Sequence, residues 1–314
     1  MTRLIEQVPS LAQAWTQTRG DGVVVAVVDE GIEVDHHPEF DGRVLPGWQS
    51  TGRDRAGWHP HGTKVAGLAV AGGMHVMGMA PHALLLPVNV PALAHGVGDR
   101  SEADGIRWAV DHGADVICCA WAPPRHDPRG GRLPERTRDA LNHALTAGRG
   151  GKGCVVVFAA GNEGCDLDHN GYAAHPGVIT VGACNHLGRR AAYSNWGSAL
   201  TCVFPSNDPQ DPVGRDLAYL TTMPPGSFER GQTWYSRSFG FTSASCAAVA
   251  GLCALIIAAA PNLTWAEVRD VLRESCERID PLGGQYDAEG HSLLYGYGRP
   301  DPARAVALAR ARAS

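Results

Sequence analysis

At 314 residues the chain is long enough to bury a sizeable core, as one large α/β domain or two small ones. Its 44% hydrophobic and 19% charged residues are those of an ordinary globular protein, and a net charge of -5 provides no basic field for phosphate backbones. No lysine or arginine cluster is interleaved with aromatics, so nucleic acid is not an expected partner.

The first ten residues carry Glu6, Gln7 and Pro9, which interrupt any apolar core of an export signal, so a cytoplasmic location is expected. Valine-rich runs then alternate with amphipathic stretches. Val23 to Val28, Leu84 to Val90, Val116 to Ala120, Cys154 to Ala159 and Val178 to Val181 predict strands buried on both faces of a parallel sheet. Helices are predicted between them over Thr63 to Ala71, Ser101 to His112 and Pro134 to Ala147, the second with a capped start from Ser101 and Asp104. Pro123 to Arg132 reads as an exposed loop. Leu200 to Arg237 has weak periodicity and many turn residues, which predicts an irregular or β-rich segment. Ala244 to Ala259, Thr264 to Cys276 and Pro302 to Arg310 predict three closing helices. The apolar run Val249 to Ala260 is about half the length a bilayer needs and reads as a buried helix, so no membrane partner is expected. Nine cysteines, an odd number without a CxxC pair, point to reduced, buried thiols. The pattern is α/β and doubly wound, and no composition shift divides 1–314 into domains.

Four residues carry candidate chemistry. Asp29 stands where the first buried strand emerges, a usual place for function in open α/β folds, although capping the next turn would also explain it. His61 opens His61-Gly62-Thr63 at a helix start; alone, it reads as a surface histidine. Ser243, in Thr242-Ser243-Ala244-Ser245, sits where unpaired backbone N–H groups of the apolar helix point outward, and a plain N-cap is the alternative. Asn162 follows another buried strand in Gly161-Asn162-Glu163-Gly164, a turn by itself.

In this order and with these flanks, the Asp, His and Ser motifs resemble the subtilase superfamily of serine proteases over nearly the whole chain. The likeness is closest to its kexin and furin-like branch, through Gly148-Arg149-Gly150-Gly151-Lys152-Gly153, Pro261-Asn262-Leu263-Thr264-Trp265 and Leu294-Tyr295-Gly296-Tyr297-Gly298. The resemblance implies a three-layer α/β/α catalytic domain with a mostly parallel central sheet, spanning 1–314. It also implies that His61 takes the Ser243 proton, Asp29 holds the imidazole tautomer, and Asn162 with the Ser243 N–H stabilises the oxyanion. The accessory β-sandwich of eukaryotic kexins and an inhibitory prodomain are not expected in this chain.

Several positions depart from the family. Phe241 replaces the glycine before Thr-Ser, and Ala247 replaces a proline four residues after the nucleophile. Glu30 keeps the acid that helps to bind a basic residue one before the scissile residue. The substrate strand resembles Ala120-Trp121-Ala122-Pro123, but Arg125 and His126 replace its acidic pair. Asn170 stands for a pocket aspartate and Asn195 for a glutamate, which removes carboxylates from a calcium site. No cofactor or metal is therefore expected. Glu39 and Asp41 read as surface acids, with a remnant of a second calcium site as the alternative. The expected function is intracellular processing of a protein or peptide substrate, with a regulatory partner as one form of control. The competing expectation is a catalytically impaired peptide-binding scaffold. A basic residue before the scissile bond is not expected to be required, unless Asp127 replaces Arg125 in the pocket.

Overall fold

Strands without polar alternation have to be covered on both faces, and this requirement sets the architecture. The computed structural model describes residues 4–50, 60–90, 99–122, 131–211, 217–224, 228–229 and 232–313. Among them, seven strands form the central sheet: β1 (Val24–Asp29), β2 (Trp48–Gln49), β3 (Leu84–Asn89), β4 (Val116–Cys119), β5 (Val155–Ala159), β6 (Val178–Cys184) and β7 (Cys202–Pro205). Their spatial order is β2-β3-β1-β4-β5-β6-β7, and every neighbouring pair is parallel.

Residues alternate between two cores along each strand. Val25, Val27, Cys118, Val155 and Val157 face one side, where they meet α3 (His61–Val70), α6 (Phe241–Ala259), α7 (Trp265–Glu274) and α8 (Pro302–Ala313). Ala26, Val28, Ile117, Val156 and Phe158 face the other, under α4 (Asp99–Asp111) and α5 (Glu135–Ala147). The result is a three-layer α/β/α arrangement. In α6, sixteen of nineteen residues are buried. It is long and apolar enough to suit a membrane span, but 89% of its most apolar 18-residue stretch lies inside the fold. Gly251 lets α6 approach its neighbours closely: a Cβ there would stand 2.6 Å from the Met79 Cβ and 2.8 Å from the Ala69 carbonyl oxygen.

The predicted strands and long helices are present with shifted ends. α4 begins two residues before Ser101, so Ser101 lies inside the helix and does not cap it. α6 begins at Phe241, with Gly240 at its N-cap, so Ser243 is not the cap. Thr264 caps α7 through a reciprocal bond pair with Glu267. Two short helices, α1 (Leu4–Gln7) and α2 (Leu11–Trp15), and strand β2 were not expected. The 200–237 segment supplies β7 and, with Tyr235–Phe239, an antiparallel pair against Tyr219–Thr222. That pair braces α3, because Thr222 and Thr221 donate to the Thr63 and Lys64 carbonyls.

The chain runs from β1 to β3 on one side and continues with β4 on the other. The order reverses at β1, and in such sheets the crevice for a ligand is expected there, outside the carboxyl ends of β1 and β4.

Candidate active site

Asp29 ends β1 in this crevice and is fully buried. Its Oδ1 accepts the Glu30 N–H at 2.8 Å and meets His61 Nδ1 at 2.8 Å. The carboxylate therefore does both things read from the sequence, bracing its own turn and orienting an imidazole. The loop after β1 is fixed by Asn89, whose side chain exchanges two hydrogen bonds with the Ile32 backbone. Gly62 permits the approach of the histidine: a Cβ there would lie 2.4 Å from Ile32 Cγ1 and 3.0 Å from the Asp29 Cβ.

His61 is the first residue of α3, and its side chain is 25% exposed. The Phe239 ring meets it edge-on at 5.8 Å. Burial is the largest influence on its pKa and pushes it down. The charge and hydrogen bond of Asp29, helped by Glu30, outweigh burial and raise it.

Ser243 is 9% exposed near the start of α6, and its Oγ donates to the Ala120 carbonyl at 3.0 Å. The first helical bond of α6 is made by the Ala244 N–H to Gly240 O. Of the three N–H groups before it, that of Phe241 goes to Asn207 Oδ1 and that of Thr242 to Asn162 Oδ1. The Ser243 N–H has no acceptor among the described residues, as a donor kept for a ligand would. Thr242 Oγ1 also donates to Asn162 Oδ1 at 2.8 Å, so the amide oxygen is used and the amide NH2 is left for another partner.

The turn carrying Asn162 is clamped from below by Asn195, which is 4% exposed. Asn195 Oδ1 accepts the N–H groups of Glu163 and Cys165, and its Nδ2 donates to Ala160 O and Glu163 Oε2. Glu163 Oε2 in turn accepts the Asn162 N–H. Sequence reasoning identified neither Thr242 nor Glu163 as supports, and it read Asn195 only as a lost acid.

With an acid, an imidazole, a hydroxyl and two donors gathered at one crevice, likeness to known proteins becomes informative. The profile described as the Subtilase family matches residues 20–298. The chain belongs to the subtilase family. The calcium-dependent protease of Nostoc sp. is 41% identical to it over 94% of this chain and 48% of that protein. The intracellular serine protease of Paenibacillus polymyxa is 31% identical over 90% of this chain and 81% of that protein. Among solved structures, a protease from Pseudoalteromonas arctica PAMC 21717 is 27% identical, with a TM-score of 0.76 over 96% of this chain and 94% of that one. The chain spans about half the length of the first of these relatives.

The residues read from the sequence as a substrate strand follow β4. Ala120 and Trp121 are buried and Ala122 is half-buried. Trp121 donates to Val28 O at 2.8 Å and packs edge-on against Phe158 and Tyr172, which ties this strand to β1. Asn170 does not offer its amide oxygen to a pocket, because Oδ1 accepts the Tyr172 and Ala173 N–H groups and caps its own turn. Arg125, His126 and Asp127 lie outside the described residues. Glu30 is half-buried beside His61.

Glu39 corrects the expectation of a surface acid: it is 1% exposed. Its two oxygens accept the N–H groups of Gly73, Met74, His75 and Val76 at 2.5 to 2.9 Å. A carboxylate saturated by four amides does not fit as a calcium ligand, and no step involves a cation there. Among the described residues, no group of three or more acids, histidines or cysteines is arranged to hold a metal.

Proposed function

We propose that this chain is a serine endopeptidase in which Ser243 is the nucleophile, His61 the general base and acid, Asp29 the orienting acid, and Asn162 with the Ser243 N–H the oxyanion donors. The observation that carries this reading is the Asp29–His61 contact, at 2.8 Å, in the crevice that also holds Ser243. Asp29 on Nδ1 keeps Nε2 unprotonated, the tautomer that can accept the Ser243 proton. The serine attacks the peptide carbonyl, His61 returns the proton to the leaving amine, and water repeats the sequence on the acyl-enzyme. Asn162 is held for the oxyanion because Thr242 occupies its amide oxygen.

We further infer that it is an intracellular processing protease. All nine cysteines are free, as a reducing compartment keeps them, and one 31% identical relative is named an intracellular protease. Glu30 favours a basic residue one before the scissile residue. With the Asn170 oxygen engaged in its own turn, no carboxylate at that position calls for arginine at the scissile residue itself.

The second reading is a peptide-binding scaffold, favoured by the Ser243 hydroxyl pointing to Ala120 O in place of His61. A fluorophosphonate probe separates the two. Labelling of the wild-type chain at Ser243, lost in Ser243→Ala, is expected, and Asn162→Ala should slow hydrolysis by about 10²–10³-fold. An unlabelled wild type would leave the scaffold.

A further inference from the structure

Phe241 is placed where an aromatic residue is costly. Its φ of +60° lies in the left-handed region that a bulky side chain rarely enters. Three contacts fix it there. Its N–H donates to Asn207 Oδ1 at 2.9 Å, its carbonyl accepts from Ser206 Oγ at 3.0 Å, and its ring packs on Tyr193 at 4.8 Å. Tyr193 is itself anchored through its hydroxyl, which donates to Asn207 O at 2.7 Å. Burial does not explain the arrangement, since Phe241 is still 41% exposed. A strained aromatic, held by its surroundings and left open two residues before the nucleophile, has the character of a contact surface for substrate.

The side of the scissile bond follows from its neighbours. Residues 120–122, read as the substrate strand, begin at the Ala120 carbonyl that Ser243 Oγ touches, and on that reading they take the acyl half of a substrate. Phe239, two residues before Phe241, packs against His61, the group that gives its proton to the leaving amine. The segment 239–241 therefore passes the leaving-group half. We propose that Phe241 and Tyr193 form a specificity wall that accepts an apolar side chain within the first two residues after the scissile bond. The pair offers ring faces and no charge, so leucine or phenylalanine is preferred there over glycine or a charged residue.

This inference rests on the protease reading, and two measurements keep the failures apart. In the first, the acyl-enzyme formed from a peptide ester is partitioned between water and added amino-acid amides. The wild type is expected to prefer phenylalaninamide over glycinamide by about tenfold, the order of one apolar contact. Phe241→Gly, which suits the positive φ, should bring the ratio below about threefold, and Phe241→Tyr should keep it near tenfold. In the second, peptides carrying phenylalanine or glycine after the intended bond are titrated into Ser243→Ala and into Ser243→Ala/Phe241→Gly. This reads the wall without catalysis. The Kd ratio should shrink in the double variant. Equal ratios with and without Phe241 in the binding measurement would overturn the wall. Failure of ester turnover and probe labelling, with the binding preference intact, would overturn the protease reading alone.

Discussion

At His61 two opposing influences meet, and the result fixes a pH profile. Burial lowers the imidazole pKa, but Asp29 and Glu30 raise it above the ordinary 6.5. A general base must be unprotonated, so kcat/KM should fall as pH drops through that raised value, with the acid-limb midpoint above 6.5. Glu30→Gln removes one of the raising charges and should move the midpoint down. A midpoint at or below 6.5, or one unmoved by this substitution, would contradict the assignment. Folding linkage has the opposite direction: protonated His61 stabilises the fold fully below pH 6.5, and this contribution is lost as pH rises through the raised value. The four candidate residues could be picked out because each sits in its own flanking pattern near an element end. Thr242, Glu163 and the clamp made by Asn195 could not. Their work is done by side chains reaching groups distant in the chain, and nothing in the local sequence records such a partner.

Among elements, the clearest stabilising device is the seat of Glu39, between β1 and β2. Four backbone N–H groups in the loop after α3 are satisfied by one carboxylate. Glu39→Ala removes the acceptor of all four, of which only the Val76 N–H is buried and the other three lie on half-buried or exposed residues, and should destabilise the fold by about 1–3 kcal/mol, the cost of one unsatisfied buried donor. Glu39→Gln retains an acceptor oxygen and should lose less. Urea denaturation with an unchanged slope measures both, and a loss under about 1 kcal/mol for Glu39→Ala would show that water replaces the carboxylate. Five strands of the central sheet, β1, β3, β4, β5 and β6, were readable as continuous apolar runs because they are covered twice, whereas β7 lay in the segment read only as irregular or β-rich. The short pieces α1, α2 and β2 contain too few residues to show a period. The start of α6 was missed by three residues, because Phe241 enters the helix from a left-handed conformation that no propensity scale anticipates.

For the whole molecule, the free thiols are the widely distributed feature. Burial pushes the thiols of Cys119, Cys246 and Cys253 well above their usual range and those of Cys154 and Cys184 up to about 12. They should stay protonated and inert. Dithiothreitol should leave Tm and activity unchanged, and iodoacetamide should alkylate the native protein only at the half-buried Cys165, because burial also pushes the Cys276 thiol well above its usual range. A drop in Tm under reduction, or further alkylated sites in intact mass spectra, would contradict this. α6 has a different whole-molecule consequence. The helix that carries Ser243 also packs against β1, β4, β5, β6 and β7, so the position of the proposed nucleophile depends on the packed sheet. On the proposed reading, a chain in which α6 is undocked would lack its nucleophile even with Asp29 and His61 in contact. On that reading, turnover of a small ester should appear together with the native state and can then gauge how many molecules in a sample are folded.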